Sequence, residues 1–160
     1  MKIQLTNHEP LENSNKKDLA KVLLGRFGLL PRKKDGNAEM QHLLLELIER
    51  KKISNKERKP EISVIKVDEM GDLTGIKRQT MYEYLHRWLD LNIIKKTSFV
   101  NEGKVVIGYE LNGTNVESAF RKAETTIKNQ LEKSFKILEE LQEEIKKEKL
   151  RLNFGNSTNL

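Results

Sequence analysis

The sequence predicts a mainly α protein with a small β-hairpin and a long C-terminal helix. Three observations carry this. Gly71 and Gly75 lie four apart among apolar Met70, Ile76, Met81 and Tyr84, the spacing of a helix-turn-helix. Two short β-prone runs flank Asn101-Glu102-Gly103, a hairpin signature. Beyond Asn112-Gly113, neither proline nor glycine interrupts the chain to about Arg151, and apolar residues there recur at heptad spacing.

Taken in order, residues 1–15 read as an N-terminal arm, where Pro10 and Asn13-Ser14-Asn15 oppose a long element. Lys16 to Phe27 reads as a short helix with Leu19, Val22, Leu23 and Phe27 on one face. Gly28, Pro31 and Lys33-Lys34-Asp35-Gly36 make a loop. A second helix is expected from Asn37, its cap, to about Lys52, burying Met40, Leu44, Leu47 and Ile48, with Leu43 and Leu45 widening the stripe. A basic loop and Pro60 follow, and Glu61 to Ile65 offers a short strand beside the hairpin.

In the helix-turn-helix, Gly71 is expected where the two helices cross, and Gly75 where the turn needs positive φ. The second helix, roughly Arg78 to Leu91, turns Met81, Leu85, Trp88 and Leu91 to the core with Tyr84 at their edge. Gln79, Tyr82, Glu83, His86 and Arg87 are left outward. Strands near Ile93–Phe99 and Val105–Leu111 complete the segment, with Val105, Ile107, Tyr109 and Leu111 on one buried face.

From Ile62 to Leu111 this pattern resembles the winged-helix transcriptional regulators, especially small archaeal and bacterial ones of the TrmB, MarR and PadR kind. The likeness is densest in Thr74-Gly75-Ile76-Lys77-Arg78-Gln79-Thr80-Met81-Tyr82, followed by Leu85, Trp88, Leu91 and Asn92-Ile93-Ile94. Asn92 stands where those regulators carry a glycine, and it too can take the left-handed position that ends a helix. The resemblance implies a winged helix-turn-helix domain at 16–111, with the start of the second helix in the major groove of double-stranded DNA. Lys77, Arg78, Gln79, Tyr82, Glu83 and His86 are then the candidate reading residues. Gln79 suits an adenine edge, Arg78 a guanine and Lys77 a phosphate. Glu83 either accepts from cytosine or pairs with Arg87 four residues on. Any one of these side chains has the alternative of standing exposed and idle.

Charge is unevenly placed. Residues 1–60 hold 14 Lys and Arg against 8 Asp and Glu, residues 61–111 hold 7 against 8, and residues 112–160 hold 9 against 8. The reading segment is thus nearly neutral, and Arg50 to Lys59 is the densest basic patch, with six cations to one anion. Lys51, Lys52, Lys56, Arg58 and Lys59 there, with Lys95, Lys96 and Lys104 on the hairpin, are the candidate contacts to the DNA backbone. The alternatives are a solvated polar loop and lysines that guard edge strands.

Residues 112–152 are expected to form one long helix, entered through a capping box at Thr114-Asn115-Val116-Glu117, with a flexible tail at 153–160. Phe120, Ile127, Ser134 and Leu141 recur every seventh residue, as do Leu131, Leu138, Ile145 and Leu152. Interleaved, they make a coiled-coil seam, with Phe120, Ile127, Leu131, Leu138, Leu141 and Ile145 as its dimerisation residues. Self-association into a homodimer or folding back onto Leu43–Leu45 would cover it.

The remaining composition narrows the class. At 160 residues, 36% hydrophobic and 34% charged, the chain suits one domain with a modest core plus appendages. It has no cysteine, no apolar run long enough for a membrane span and no signal-like N-terminus, so a cytoplasmic, nucleoid-associated protein is expected. His8, His42 and His86 lack partners at metal-ligand spacing, and no phosphate-binding glycine loop occurs, so no catalytic residue, metal or cofactor is expected. Nothing specifies a small-molecule effector. The favoured function is a homodimeric DNA-binding transcriptional regulator. The alternatives are an architectural, DNA-bridging or plasmid-maintenance protein, and a winged helix used for protein contacts.

Overall fold

A computed structural model describes residues 1–158, with side chains through residue 155. The chain is mainly helical and forms two compact units, Met1–Glu124 and the residues from Thr125 on. The first therefore takes in the arm and the opening turns of the last helix as well as the expected domain.

The arm runs extended along helix α1 (Lys16–Arg26). The Thr6 N–H donates to the Arg26 carbonyl at 3.0 Å, and the Arg26 guanidinium to the His8 carbonyl at 2.8 Å. Asn15 caps α1 by accepting from the Asp18 N–H at 2.8 Å. The helix closes on Gly28, with the Leu29 N–H bonded to the Leu24 carbonyl and Leu29 tucked into the core. Its buried stripe is Ala20 and Leu24, whereas Leu19 is 48% exposed. The expected face is therefore rotated by about one residue, or ~100°. Leu19, Leu23 and Leu24 supply apolar side chains on adjoining faces, and packing against the next helix selects among them.

Helix α2 (Met40–Glu57) starts three residues later than expected and has no side-chain cap. Asn37 and Ala38 are spent on leaving a 3-10 turn at Lys33–Asp35, where the Ala38 N–H bonds the Asp35 carbonyl. The helix also runs through most of the expected basic loop. It ends at Arg58, whose φ of 55° is held because the Ser54 hydroxyl donates to the Lys59 carbonyl at 2.9 Å. Leu43, Leu44 and Leu47 are buried within the first unit, with α2 packed on α1.

Pro60–Ser63 is a 3-10 turn rather than a strand, but Ile65 does pair with the hairpin. Its N–H and carbonyl bond Tyr109 at 2.8 and 2.9 Å. Gly108 permits that approach, since a Cβ there would stand 2.6 Å from the Ile65 carbonyl oxygen. Helices α3 (Val67–Thr74) and α4 (Arg78–Asp90) follow, joined through Gly75 at φ 79°. Gly71 answers to the turn rather than to α4, because its missing Cβ would lie 2.9 Å from the Ile76 carbonyl. Asn92, at φ 63°, ends α4 as its position suggests. Trp88, Met81 and Leu85 are buried, and so is Tyr84, expected only at the edge.

Strands β1 (Ile94–Asn101) and β2 (Lys104–Leu111) pair antiparallel across a Glu102-Gly103 turn with φ of 51° and 76°. Both signs suit the two-residue turn that matches strand twist. Only the base of the hairpin is covered. Tyr109 and Leu111 are buried, but Val105 and Ile107 are 67% and 52% exposed, so the expected buried face stops halfway.

Helix α5 (Val116–Thr158) opens with a reciprocal cap one residue beyond the expected one. The Ser118 N–H donates to the Asn115 side chain at 2.8 Å, and the Ser118 hydroxyl accepts from the Asn115 N–H at 3.2 Å. The helix continues past Leu152 to Thr158, so the expected flexible tail is helical there; residues 159–160 lie outside the described residues. Phe120, of the expected dimerisation set, is half-buried and meets Phe27 edge-to-face at 5.1 Å inside the first unit. In the second unit, every side chain from 131 to 155 is exposed, including Leu131, Leu138, Leu141 and Ile145, while Ile127 is half-buried. Among the described residues, no helix is long and apolar enough to cross a membrane.

Candidate nucleic-acid interface

The helix-turn-helix is built around one buried hydroxyl. Thr74 donates its hydroxyl proton to the Met70 carbonyl at 2.8 Å and accepts from the Ile76 N–H at 3.3 Å. This ties the end of α3 to the turn, while Met70, Ile76 and Met81 close the wedge between α3 and α4. With Met81, Tyr84, Leu85 and Trp88 facing inward, α4 presents Gln79, Tyr82, Glu83 and His86 to solvent. Arg87, expected outward with these four, is instead half-buried.

Their surroundings differ. Gln79 is exposed, and Tyr82 is 43% exposed. Arg78 pairs with Asp68 of α3 at 3.1 Å, and the Tyr82 hydroxyl and then the Asp68 carboxylate raise its pKa further above the usual arginine range. Glu83 is engaged by Arg32 at 2.6 Å, not by Arg87, whose guanidinium lies beside Gly28. His86 stands 3.7 Å from Asp90. Lys77 precedes the first turn of α4, is exposed, and makes no side-chain cap.

Exposure decides which cations remain available. The Arg78–Asp68 pair is 64% and 73% exposed, so solvent and salt screen it and it holds Arg78 only loosely. Lys51 is different. Its ammonium sits 2.6 Å from Glu110 of β2 with both side chains nearly buried, and Lys95 lies 3.7 Å from the same carboxylate. Burial pushes the Glu110 carboxyl up, but Lys51, the Thr97 hydroxyl and Lys95 outweigh it and hold the group below the usual carboxylate range. Lys51 is therefore an internal ion-pair partner, not a DNA-backbone contact. Arg50, from the same basic patch, bonds Glu46 and Glu69 at 2.9 and 2.8 Å.

Lys52, Lys56, Arg58 and Lys59 are exposed, with no carboxylate paired to them among the described residues. The first two ride on α2 and the last two on the turn beyond it. On the hairpin the strand register separates the three lysines. Lys95 and Lys104 share the face of Glu110, whereas Lys96 lies opposite Tyr109 on the other. The expected backbone contacts are thus not a single patch.

Arg32 and Tyr84 are the site residues that sequence reasoning missed. The Tyr84 hydroxyl donates to Asp35 at 2.6 Å and accepts from the Arg32 N–H at 2.9 Å. The Arg32 guanidinium also stacks 5.4 Å from the Tyr84 ring centroid. The partners are about fifty residues apart, and no local pattern joins them. Among the described residues, no group of three His, Asp or Glu side chains is placed to hold a metal ion. No family model, curated protein or solved structure matches the chain.

Proposed function

We propose that the chain is a winged-helix DNA-binding transcriptional regulator that acts as a homodimer in the cytoplasm, associated with the nucleoid. The observation that carries the reading is the order α3, Gly75 turn, α4 and hairpin, with the core sealed behind α4, and Gln79 and Tyr82 exposed in front, the Tyr82 hydroxyl beside Arg78. In this reading α4 enters the major groove, about 12 Å wide and able to admit a helix. Gln79 and Tyr82 contact base edges, Arg78 exchanges Asp68 for DNA, and Lys77 and the free cations of α2 and the hairpin hold phosphates. The exposed seam on α5 joins two copies. If both heads address one face of a duplex, the half-sites lie about 34 Å apart or a multiple of it.

Mobility shift against genomic and random duplex DNA at two salt concentrations tests this. A regulator retains selective binding as salt rises. Binding that is unselective and vanishes with salt is the mark of the architectural alternative, and no binding at all removes DNA as the partner. A protein-contact module has one observation in its favour: the hairpin tip exposes Val100, Val105 and Ile107 rather than a basic cluster.

A further inference from the structure

Between the 3-10 turn at Lys33–Asp35 and the start of α4 lies a hollow of about 620 Å³ with mostly polar walls. Lys33 and Lys34 come to it from one side and Lys77 and Thr80 from the other, with Gly36 and Gly75 between. All three lysines are exposed, and no carboxylate among the described residues pairs with them. Asp35 also lines the hollow, but its carboxylate is engaged by the Tyr84 hydroxyl and the Arg32 guanidinium. Three unpaired ammonium groups around one polar recess raise the local positive potential, which is relieved by an anion and not by a neutral ligand.

The loop that carries Lys33 and Lys34 is fastened at both ends to the helix-turn-helix. At one end the Tyr84 hydroxyl receives the Arg32 N–H and donates to Asp35. At the other, the Glu39 N–H bonds the Thr74 carbonyl at 3.1 Å. A lysine pair on a free loop is a solvated charge; one held to the reading helix by a buried phenol keeps a fixed offset from it.

We propose that Lys33, Lys34 and Lys77 form a docking surface for the phosphate backbone of duplex DNA beside the start of α4, with Tyr84 as its positioning residue. The proposal rests on the DNA-binding reading and adds to it an element upstream of the helix-turn-helix. It gives a role to a basic pair that lies more than forty residues before α4 in sequence. The surface reads no bases, so it sets affinity and register on the duplex alike for every sequence.

The test measures affinity for a genomic duplex and a random duplex across a salt series, for the full chain and for Lys33→Gln/Lys34→Gln. Each phosphate contact contributes about −0.9 to the slope of log affinity against log salt. The double variant is expected to flatten the slope by about 1 to 2 and to weaken both duplexes equally, leaving their ratio unchanged. Tyr84→Phe, with folding checked by Trp88 emission, is expected to weaken binding in the wild-type background but to add nothing in the Lys33→Gln/Lys34→Gln background. Wild-type protein that retards no duplex overturns the DNA reading and this surface with it. Wild-type binding with an unchanged slope in the double variant overturns the surface alone, and additive losses overturn the role of Tyr84.

Discussion

Lys51 and Lys33 carry the same charge in opposite surroundings, the first nearly buried against Glu110 and the second exposed. Lys51 is spent on Glu110, fifty-nine residues away in sequence, so no inspection of the basic run Arg50–Lys59 could have removed it from the DNA-facing set. Lys51→Gln leaves a nearly buried carboxylate without its main partner, and a loss of about 3 kcal/mol is expected in urea unfolding at neutral pH. The sign of the pH dependence follows from the lowered Glu110 pKa. The folded group is more acidic than the unfolded one, so its stabilisation is present above the unfolded value, about 4.3, and fades as pH falls through the folded one. The gap between wild type and Lys51→Gln should therefore narrow in acid; an equal gap at pH 7 and pH 3 would refute the ion-pair account. Positions governed by local backbone chemistry were far more legible. Gly75 and Asn92 both sit at positive φ, as their residue types suggest. A Cβ at Gly75 meets nothing within 4 Å, so Gly75→Ala should cost only the conformational term, on the order of 1–2 kcal/mol. Gly108→Ala meets the Ile65 carbonyl and should cost distinctly more. Thermal unfolding of the two variants that gives equal losses, or the reverse order, counts against the Ile65 bridge as the reason for that glycine.

Elements were legible in proportion to how cleanly their apolar residues fell on one face. In α4, Met81, Leu85 and Trp88 stand three and four apart with polar residues between, and the buried face came out as expected. In α1, apolar residues on neighbouring faces left the choice to packing, and Ala20 with Leu24 prevailed over Leu19. The hairpin shows another limit. Alternation in β2 identifies a face but not how far along the strand a neighbour covers it, and here cover ends at Gly108. The exposed face of α4 carries the sharpest expectation. Gln79→Ala and Tyr82→Ala should leave stability within about 0.5 kcal/mol, because neither side chain is buried. Each should narrow discrimination between a selected and a random duplex by ~1–3 kcal/mol, or roughly five- to more than a hundredfold. Competition binding that returns wild-type discrimination for both variants takes these residues off the reading surface.

For the whole molecule, the heptad seam was plain in the sequence because repetition every seven residues needs no tertiary information. The surroundings of its N-terminal member were not, since Phe120 meets Phe27 within its own unit. Nor was its end, because Asn153, Gly155 and Asn156 weaken a helix by about 1 kcal/mol or less each, and only proline forbids one. Leu131, Leu138, Leu141 and Ile145 are each 50–55% exposed in the single chain. Leu138→Asp with Leu141→Asp should give folded monomers with weakened DNA binding; light scattering that finds wild-type protein monomeric at micromolar concentration sinks the homodimer. The two units also differ in how they can be observed. Trp88, the only tryptophan of the chain, is wholly buried on α4, while the second unit has none. Indole emission therefore reports the first unit alone, whereas far-ultraviolet ellipticity sums over both, the long helix included. The fluorescence and ellipticity melts should separate, and only the ellipticity component belonging to the seam should move with protein concentration. One tryptophan in one place thus makes the molecule its own two-channel instrument, with no label required to tell the first unit from the long helix.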